Sequence, residues 1–281
     1  MKYGIHMPQK GGFSKNVQRA VEIGCHTLQI FLGNPTSWRA PAFKPEELET
    51  RRTLLDENEI DPLIVHTAYL INLSSAKEEF YRKSRQLLQE TAKRAFFIGA
   101  AYVVLHVGSH GGRGFNKGME LFVSTVREEM ENWPPGVELL LENTAGGGTS
   151  LGGTFTSIGN ILDQLEDAPV GACLDTAHAW AAGYDFSSAE GLRKAMDEMN
   201  SYIGKERLKL IHANDIDVPL GSRRDRHAHL GDGMIGEEGF RLFFSYSWRE
   251  DMPVILETPQ MGSRWDAINM QRLRLYAGET S

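Results

Sequence analysis

Six short apolar runs in this chain each end on a residue able to bind a metal ion. Pro62-Leu63-Ile64-Val65 precedes His66, Tyr102-Val103-Val104-Leu105 precedes His106, and Glu138-Leu139-Leu140-Leu141 precedes Glu142. Val170-Gly171-Ala172-Cys173-Leu174 precedes Asp175, Leu208-Lys209-Leu210-Ile211 precedes His212, and Pro253-Val254-Ile255-Leu256 precedes Glu257. Three more candidates lie just past strand ends: His178, at i+3 from Asp175, and the pair Asp225 and His227 in Arg224-Asp225-Arg226-His227. The nine are five His, two Asp and two Glu. Imidazole and carboxylate without thiolate suit zinc, manganese or iron. Nine ligands exceed the roughly four that one zinc takes. Either some are accessory or the site is multinuclear. A multinuclear centre suits phosphoester hydrolysis, in which metals generate the nucleophile, orient the phosphate and stabilise the leaving oxygen.

The elements that must position these residues follow from the same runs. Runs of this kind read as buried parallel strands. Two further candidates, Tyr3-Gly4-Ile5-His6 and Thr27-Leu28-Gln29-Ile30-Phe31, bring the strands to eight. Helical patterns separate most of them. Val17, Ala20, Val21 and Gly24 follow helical spacing, with Ser14 as N-cap and Gly24 as stop. The segments Glu78 to Phe97, Leu121 to Met130, Ile158 to Leu165 and Leu192 to Ile203 are amphipathic, and Gly239 to Phe244 is a shorter example. Alternation of strand and helix implies a parallel sheet. Eight strands favour an α/β fold of the closed (β/α)8 TIM-barrel type over an open sheet, with the active site at the C-terminal rim. No linker, repeat or low-complexity run divides the chain, so residues 1–281 are expected to form one domain. Glycine-rich and polar loops at Gly108 to Gly118, Asn143 to Gly153 and Asn214 to Gly236 are placed for substrate contact.

Composition is that of an ordinary globular protein, 41% hydrophobic and 24% charged. The start Met1-Lys2-Tyr3-Gly4-Ile5-His6 carries no apolar signal region, and no stretch approaches a membrane span of roughly 20 residues. Cys25 and Cys173 make no metal-type spacing; a reducing cytoplasm is the default expectation. The net charge of −7 argues by itself against a nucleic-acid partner. Three divalent ions would nearly neutralise it and dominate the local field.

Other residues carry weaker signals. His26 precedes a strand at the opposite rim and reads as structural, whereas His6 ends the first strand on the site face. His110 and His229 lie in site loops, where they could meet phosphate or simply be solvated. Arg223, Arg224 and Arg226 would ordinarily be a solvated cluster, but their interleaving with Asp225 and His227 points toward phosphate. Trp38 and Tyr69, judged alone, are loop anchors.

Several stretches together resemble the endonuclease IV family of apurinic/apyrimidinic endonucleases, on a xylose-isomerase-like barrel. They are Glu142 to Gly148, Asp175 to Ala179 with Ala182 to Asp185, His212 to Asp215, Gly221 to His227 with Leu230 to Gly233, Ile235-Gly236, and His66 to Leu73. The resemblance covers nearly the whole chain and implies three zinc ions, with manganese as a possible substitute. His66, His106 and Glu142 would hold one; Glu142, Asp175, His212 and Glu257 a second, with Glu142 bridging; and His178, Asp225 and His227 the third. It also implies a cytoplasmic, monomeric DNA repair enzyme that cuts the phosphodiester 5′ to an abasic site in duplex DNA. The products are a 3′-hydroxyl and a 5′-deoxyribose phosphate, and blocked 3′ ends are trimmed. Family members bend the DNA and flip out the abasic nucleotide, at a cost that is lowest at damage. Tyr69 and Leu70 match residues inserted at the lesion, and Asn72, Arg223 and Arg226 are the further expected DNA contacts. Glu142 is the expected catalytic residue. Two positions depart from the pattern: Thr36 replaces an arginine found before the Trp, and Val107 stands where proline is frequent.

Two other readings compete. A metal-dependent sugar isomerase or epimerase on the same barrel would leave His66, His106 and the Asp225/His227 pair surplus. A noncatalytic DNA-damage binder would be marked by lost ligands, and none is lost. For an unspecified metallohydrolase, the loops at Thr36 and Tyr69 to Asn72 would decide the substrate.

Overall fold

The computed structural model describes residues 1–279. Strands β1 (Lys2–His6), β2 (Thr27–Phe31), β3 (Leu63–His66), β4 (Tyr102–His106), β5 (Glu138–Glu142), β6 (Val170–Asp175), β7 (Leu208–His212) and β10 (Pro253–Leu256) form a closed parallel barrel in which β10 pairs with β1. All eight expected strands are present. The remaining two, β8 (Asp215–Ile216) and β9 (His227–Ala228), make a short antiparallel hairpin above the rim.

Side-chain alternation within these strands decides where the polar ends point. Ile64, Val104, Leu140, Cys173, Leu210 and Ile255 form a separate apolar cluster inside the barrel. Each lies two residues before His66, His106, Glu142, Asp175, His212 or Glu257. A strand has a side-chain period of two, so each of these polar residues points into the barrel mouth above the apolar plug. The ladder also levels them, pairing His106 with Glu142 and Asp175 with His212. Cys173 is thus a packing residue of the plug, and burial pushes its thiol up to about 12.

The larger core lies between the barrel and its helices, where Leu28, Val65, Val103, Leu139 and Leu141 meet Leu88, Phe122, Phe155 and Phe243. Around the barrel run α1 (Phe13–Glu22), α2 (Pro45–Glu57), α3 (Glu78–Ile98), α4 (Phe115–Met130), α5 (Phe155–Gln164), α6 (Thr176–Ala182), α7 (Ala189–Tyr202), α8 (Gly236–Ser245) and α9 (Trp265–Tyr276). α3 stops as expected at Gly99, which takes the left-handed conformation of a C-cap at φ 77°. α1 begins earlier than its spacing suggested: Gly12 is the N-cap and Ser14 lies inside the helix, making no cap. α2 escaped detection because it is strongly charged and buries only Leu48 and Leu55. No helix among the described residues is long and apolar enough to cross a membrane.

Candidate metal centre

Three groups of side chains converge at the mouth, with the potential ligand atoms of each group within 4.8 Å of one another: His66, His106 and Glu142; Glu142, Asp175, His212 and Glu257; and Asp175, His178 and His227. The first two follow from strand ends alone. The third depends on α6, which leaves β6 without a loop. Asp175 caps that helix by accepting the His178 N–H at Oδ1 (2.7 Å), which places the His178 ring beside it. Asp175 Oδ2 stays turned to the mouth, 3.9 Å from both His212 Nδ1 and His227 Nε2. Asp225 approaches from the loop between β8 and β9, with its oxygens 3.2 Å from His178 Nε2 and His227 Nε2. The third group therefore gathers Asp175 as well as the three residues expected there.

Glu142 stands between groups. Its Oε2 lies 3.2 Å from His66 Nε2 and 3.1 Å from His106 Nε2, and its Oε1 lies 3.2 Å from His178 Nδ1 and 3.3 Å from His212 Nδ1. It is completely buried. Burial alone would raise its carboxyl, but the charges of His106 and His212 and hydrogen bonds from His106 and His178 hold it well below the usual carboxylate range. Glu257 is held low in the same way, against burial, by His212 and His6.

The proton positions of the imidazoles test whether a cation fits. His66 Nδ1 lies 2.7 Å from the Thr67 carbonyl, His178 Nδ1 3.0 Å from that of Asn143, and His227 Nδ1 2.9 Å from that of Glu257. A carbonyl only accepts, so each Nδ1 carries the proton and each neutral ring presents its Nε2 lone pair to carboxylate oxygens. Lone pair facing lone pair is repulsive unless a proton or a metal lies between. The buried His227 Nε2 has no hydrogen-bond partner at all. This backbone anchoring of the remote nitrogen is the arrangement that orients metal-binding histidines. The donor set and the orphaned nitrogen fit divalent metal ions.

Two asparagines brace the mouth. Asn143 Oδ1 accepts the Asp175 N–H (2.7 Å) and its Nδ2 donates to the Asp175 carbonyl (3.0 Å). Asn214 Nδ2 donates to Asp175 Oδ2 (2.6 Å) and Glu257 Oε2 (3.2 Å), and its Oδ1 accepts the Glu257 N–H (2.8 Å). Gln29, from the middle of β2, is a further buried contact of the site. Sequence reasoning did not give it a role. The signal was present, since it is the lone amide in the otherwise apolar stretch from Leu28 to Phe31.

The expected DNA-side residues divide. Tyr69 is 57% exposed and sets its ring edgewise against Phe31 and His66, with centroids 5.4 and 5.7 Å away. Leu70 is half-buried beside it. Arg223 and Arg226 are exposed and make no ion pair among the described residues. Arg223 occupies a positive φ of 57°, and a Cβ on Gly147 would come within 2.7 Å of its carbonyl oxygen, so the two loops require glycine at that approach. Asn72 is used as a brace: Oδ1 accepts from Ser74 and Ser109 N–H, and Nδ2 donates to the Ser109 carbonyl. Trp38 anchors its loop by stacking on Phe80 at 5.8 Å, and exposed Thr36 is folded onto Asn34. His26 is exposed at the opposite rim, His110 accepts the Gly114 N–H, and His229 stacks on Trp265 at 3.8 Å.

Comparison with known proteins places this geometry. Residues 17–275 match the family described as xylose isomerase-like TIM barrel. The probable endonuclease 4 of Natranaerobius thermophilus is 44% identical over 99% of this chain and 98% of its own length. A crystal structure of endonuclease IV from Thermus thermophilus superposes with a TM-score of 0.85 at 36% identity, covering 100% of both chains. A D-tagatose 3-epimerase-like protein shares the fold, with a TM-score of 0.75 over 99% of this chain and 97% of its own, but only 20% identity. With full-length identity to endonuclease 4 on one side and a shared barrel alone on the other, the chain belongs to the endonuclease 4 family of xylose isomerase-like TIM barrels.

Proposed function

We propose that this chain is a metal-dependent DNA repair endonuclease. It hydrolyses the phosphodiester 5′ to an abasic site in duplex DNA, leaving a 3′-hydroxyl and a 5′-deoxyribose phosphate, and trims blocked 3′ ends. The observation that carries the reading is the convergence of three ligand groups on one barrel mouth, joined through Glu142 and Asp175. In this reading His66, His106 and Glu142, then Glu142, Asp175, His212 and Glu257, then His178, Asp225 and His227 hold three zinc ions, which manganese can replace. Bound zinc supplies Lewis acidity and a water acidic enough to be deprotonated near neutral pH.

The chain's own residues do the rest. Glu142 would be shared by the first two groups, because its two oxygens face different histidine pairs. The plug below the mouth excludes water from the floor of the site, which strengthens every charge interaction above it. Tyr69, propped from below by Phe31 and His66, offers a rigid ring to the gap left by a missing base, with Leu70 beside it. Arg223 and Arg226 are free to meet phosphates and offset the net charge of −7. In this reading the protein acts as a monomer in the cytoplasm, on damaged duplex DNA. A sugar epimerase on the same fold would give no work to His66, His106 or the Asp225–His227 pair.

The test is a labelled duplex with one abasic site beside an undamaged control, each with and without chelator, with the product ends mapped. Lesion-dependent, chelator-sensitive cleavage giving a 3′-hydroxyl is expected. Fully metallated protein that leaves the abasic duplex intact would refute the assignment.

A further inference from the structure

All eight barrel strands send a polar residue into the top inner layer, and two of these stand outside the three ligand groups: His6 on β1 and Gln29 on β2. The ladder pairs them directly. Gln29 is fully buried and spends both ends of its amide on neighbours. Its Oε1 lies 2.8 Å from His212 Nε2, and its Nε2 lies 2.5 Å from Glu257 Oε1 and 2.9 Å from His6 Nδ1.

The direction of this amide is not free. A metal-binding carboxylate is ionised and only accepts hydrogen bonds, so the Gln29 NH2 group must face Glu257. The amide oxygen then faces His212, and an oxygen there accepts only from a protonated Nε2. His212 is thereby left with its lone pair on Nδ1, the atom lying 3.3 Å from both Glu142 Oε1 and Glu257 Oε2. The other four histidines of the groups differ: His66, His106, His178 and His227 each bring Nε2 to a carboxylate oxygen. No backbone carbonyl takes the remote nitrogen of His212, as one does for His66, His178 and His227. The other NH2 hydrogen of Gln29 points toward His6 Nδ1 at 2.9 Å.

We propose that Gln29 is the positioning residue that selects the His212 tautomer, presenting Nδ1 to the centre while holding Glu257 in place. The proposal rests on the metal-centre reading above. Gln29 touches neither substrate nor reacting atoms; it acts through His212 and Glu257.

The experiment compares wild type with Gln29→Met, which keeps length and volume but loses both hydrogen-bonding ends, and Gln29→Glu, which keeps an acceptor toward His212. Two quantities are read for each: the zinc affinity, by competition with a chromophoric chelator, and the histidine ring nitrogens, by 15N NMR of the metal-free protein at a pH high enough to leave the rings neutral, since, against burial, Glu257 and Glu142 raise the His212 pKa. Wild type and Gln29→Glu should show His212 protonated on Nε2. Gln29→Met should show mixed tautomers and lose about 10- to 100-fold in the affinity of one zinc, the scale set by an outer-shell partner. An unchanged tautomer in Gln29→Met, with or without an affinity loss, overturns the proposal, as does loss of the Nε2–H form in Gln29→Glu. Gln29→Glu alone still decides the point if Gln29→Met does not fold. Wild-type protein that binds no zinc would instead refute the metal-centre reading, while the metal-free tautomer would still report on Gln29.

Discussion

His178 Nε2 lies 3.2 Å from Asp225 Oδ2, so an imidazole fixed on a short helix meets a carboxylate carried by an irregular loop. Burial would lower the His178 pKa, but Asp175, Asp225 and Glu142 override it and raise the group well above 6.5. His227 is raised for the same reason by Asp175 and Asp225. In the metal-free protein these rings keep a proton where the carboxylates call for positive charge. A histidine with a raised folded-state pKa contributes stability that is complete below 6.5 and is lost as pH rises through the folded value. Chelated protein should therefore lose thermal stability as pH climbs above 6.5. Zinc-loaded protein should gain, because metal replaces protons. Calorimetric titration with zinc in buffers of different ionisation enthalpy should register proton release over that range. Parallel stability slopes for the two forms, or no proton release, would contradict this account.

Replacing Glu142 with Gln removes the one charge that faces both histidine pairs. Losing an outer-shell partner of a metal site costs about 10- to 100-fold, and a shared ligand should exceed that. We expect cleavage of the abasic duplex to fall by more than about 100-fold while DNA binding stays measurable by gel shift. Near-normal turnover would remove Glu142 from the mechanism.

Asp215 is a structural anchor for the same site. Its buried carboxylate accepts the backbone N–H groups of Ile216, Gly231, Gly233, Ile235 and Gly236. These bonds fold the chain after β9 back beneath the hairpin that carries His227. Asp215→Ala would leave several buried donors unpaired, at a cost of roughly 3–5 kcal/mol. Urea denaturation should show that loss together with weaker retention of the zinc assigned to His178, Asp225 and His227. A loss under about 1 kcal/mol would mean that water satisfies the loop in place of the carboxylate.

Thr36 is exposed at the tip of the loop that touches Tyr69, whose N–H donates to the Pro35 carbonyl at 3.0 Å. Thr36→Arg adds a cation beside Tyr69, where the proposed function puts the lesion. Affinity for abasic duplex should rise several-fold at low salt, with a steeper salt dependence. The double change Arg223→Ala and Arg226→Ala should act oppositely, flattening the slope of log K against log salt by about 1 per lost phosphate contact. Salt slopes equal to wild type in both proteins would place these residues off the DNA path.

The sequence by itself determined the barrel and most of the mouth. An apolar run of strand length has only one face order once its neighbours are parallel, so a polar residue at each run's end must emerge at the same rim, and six of the nine candidates were legible that way. Period-two alternation added that Ile64 and His66, or Leu140 and Glu142, share the inner face. Other features were decided by tertiary structure. Asp175 joins His178 and His227 only because it caps α6 and turns its second oxygen inward. Asn72, a proposed DNA contact, is also the brace of the Ser109 loop, a partner 37 positions away in the chain. Gln29 acquires a purpose only when β2 closes against β1 and its amide reaches across to β7 and to Glu257 after β10. A strand pattern reports which face a residue takes; the direction of a hydrogen bond depends on the groups that closure brings opposite it.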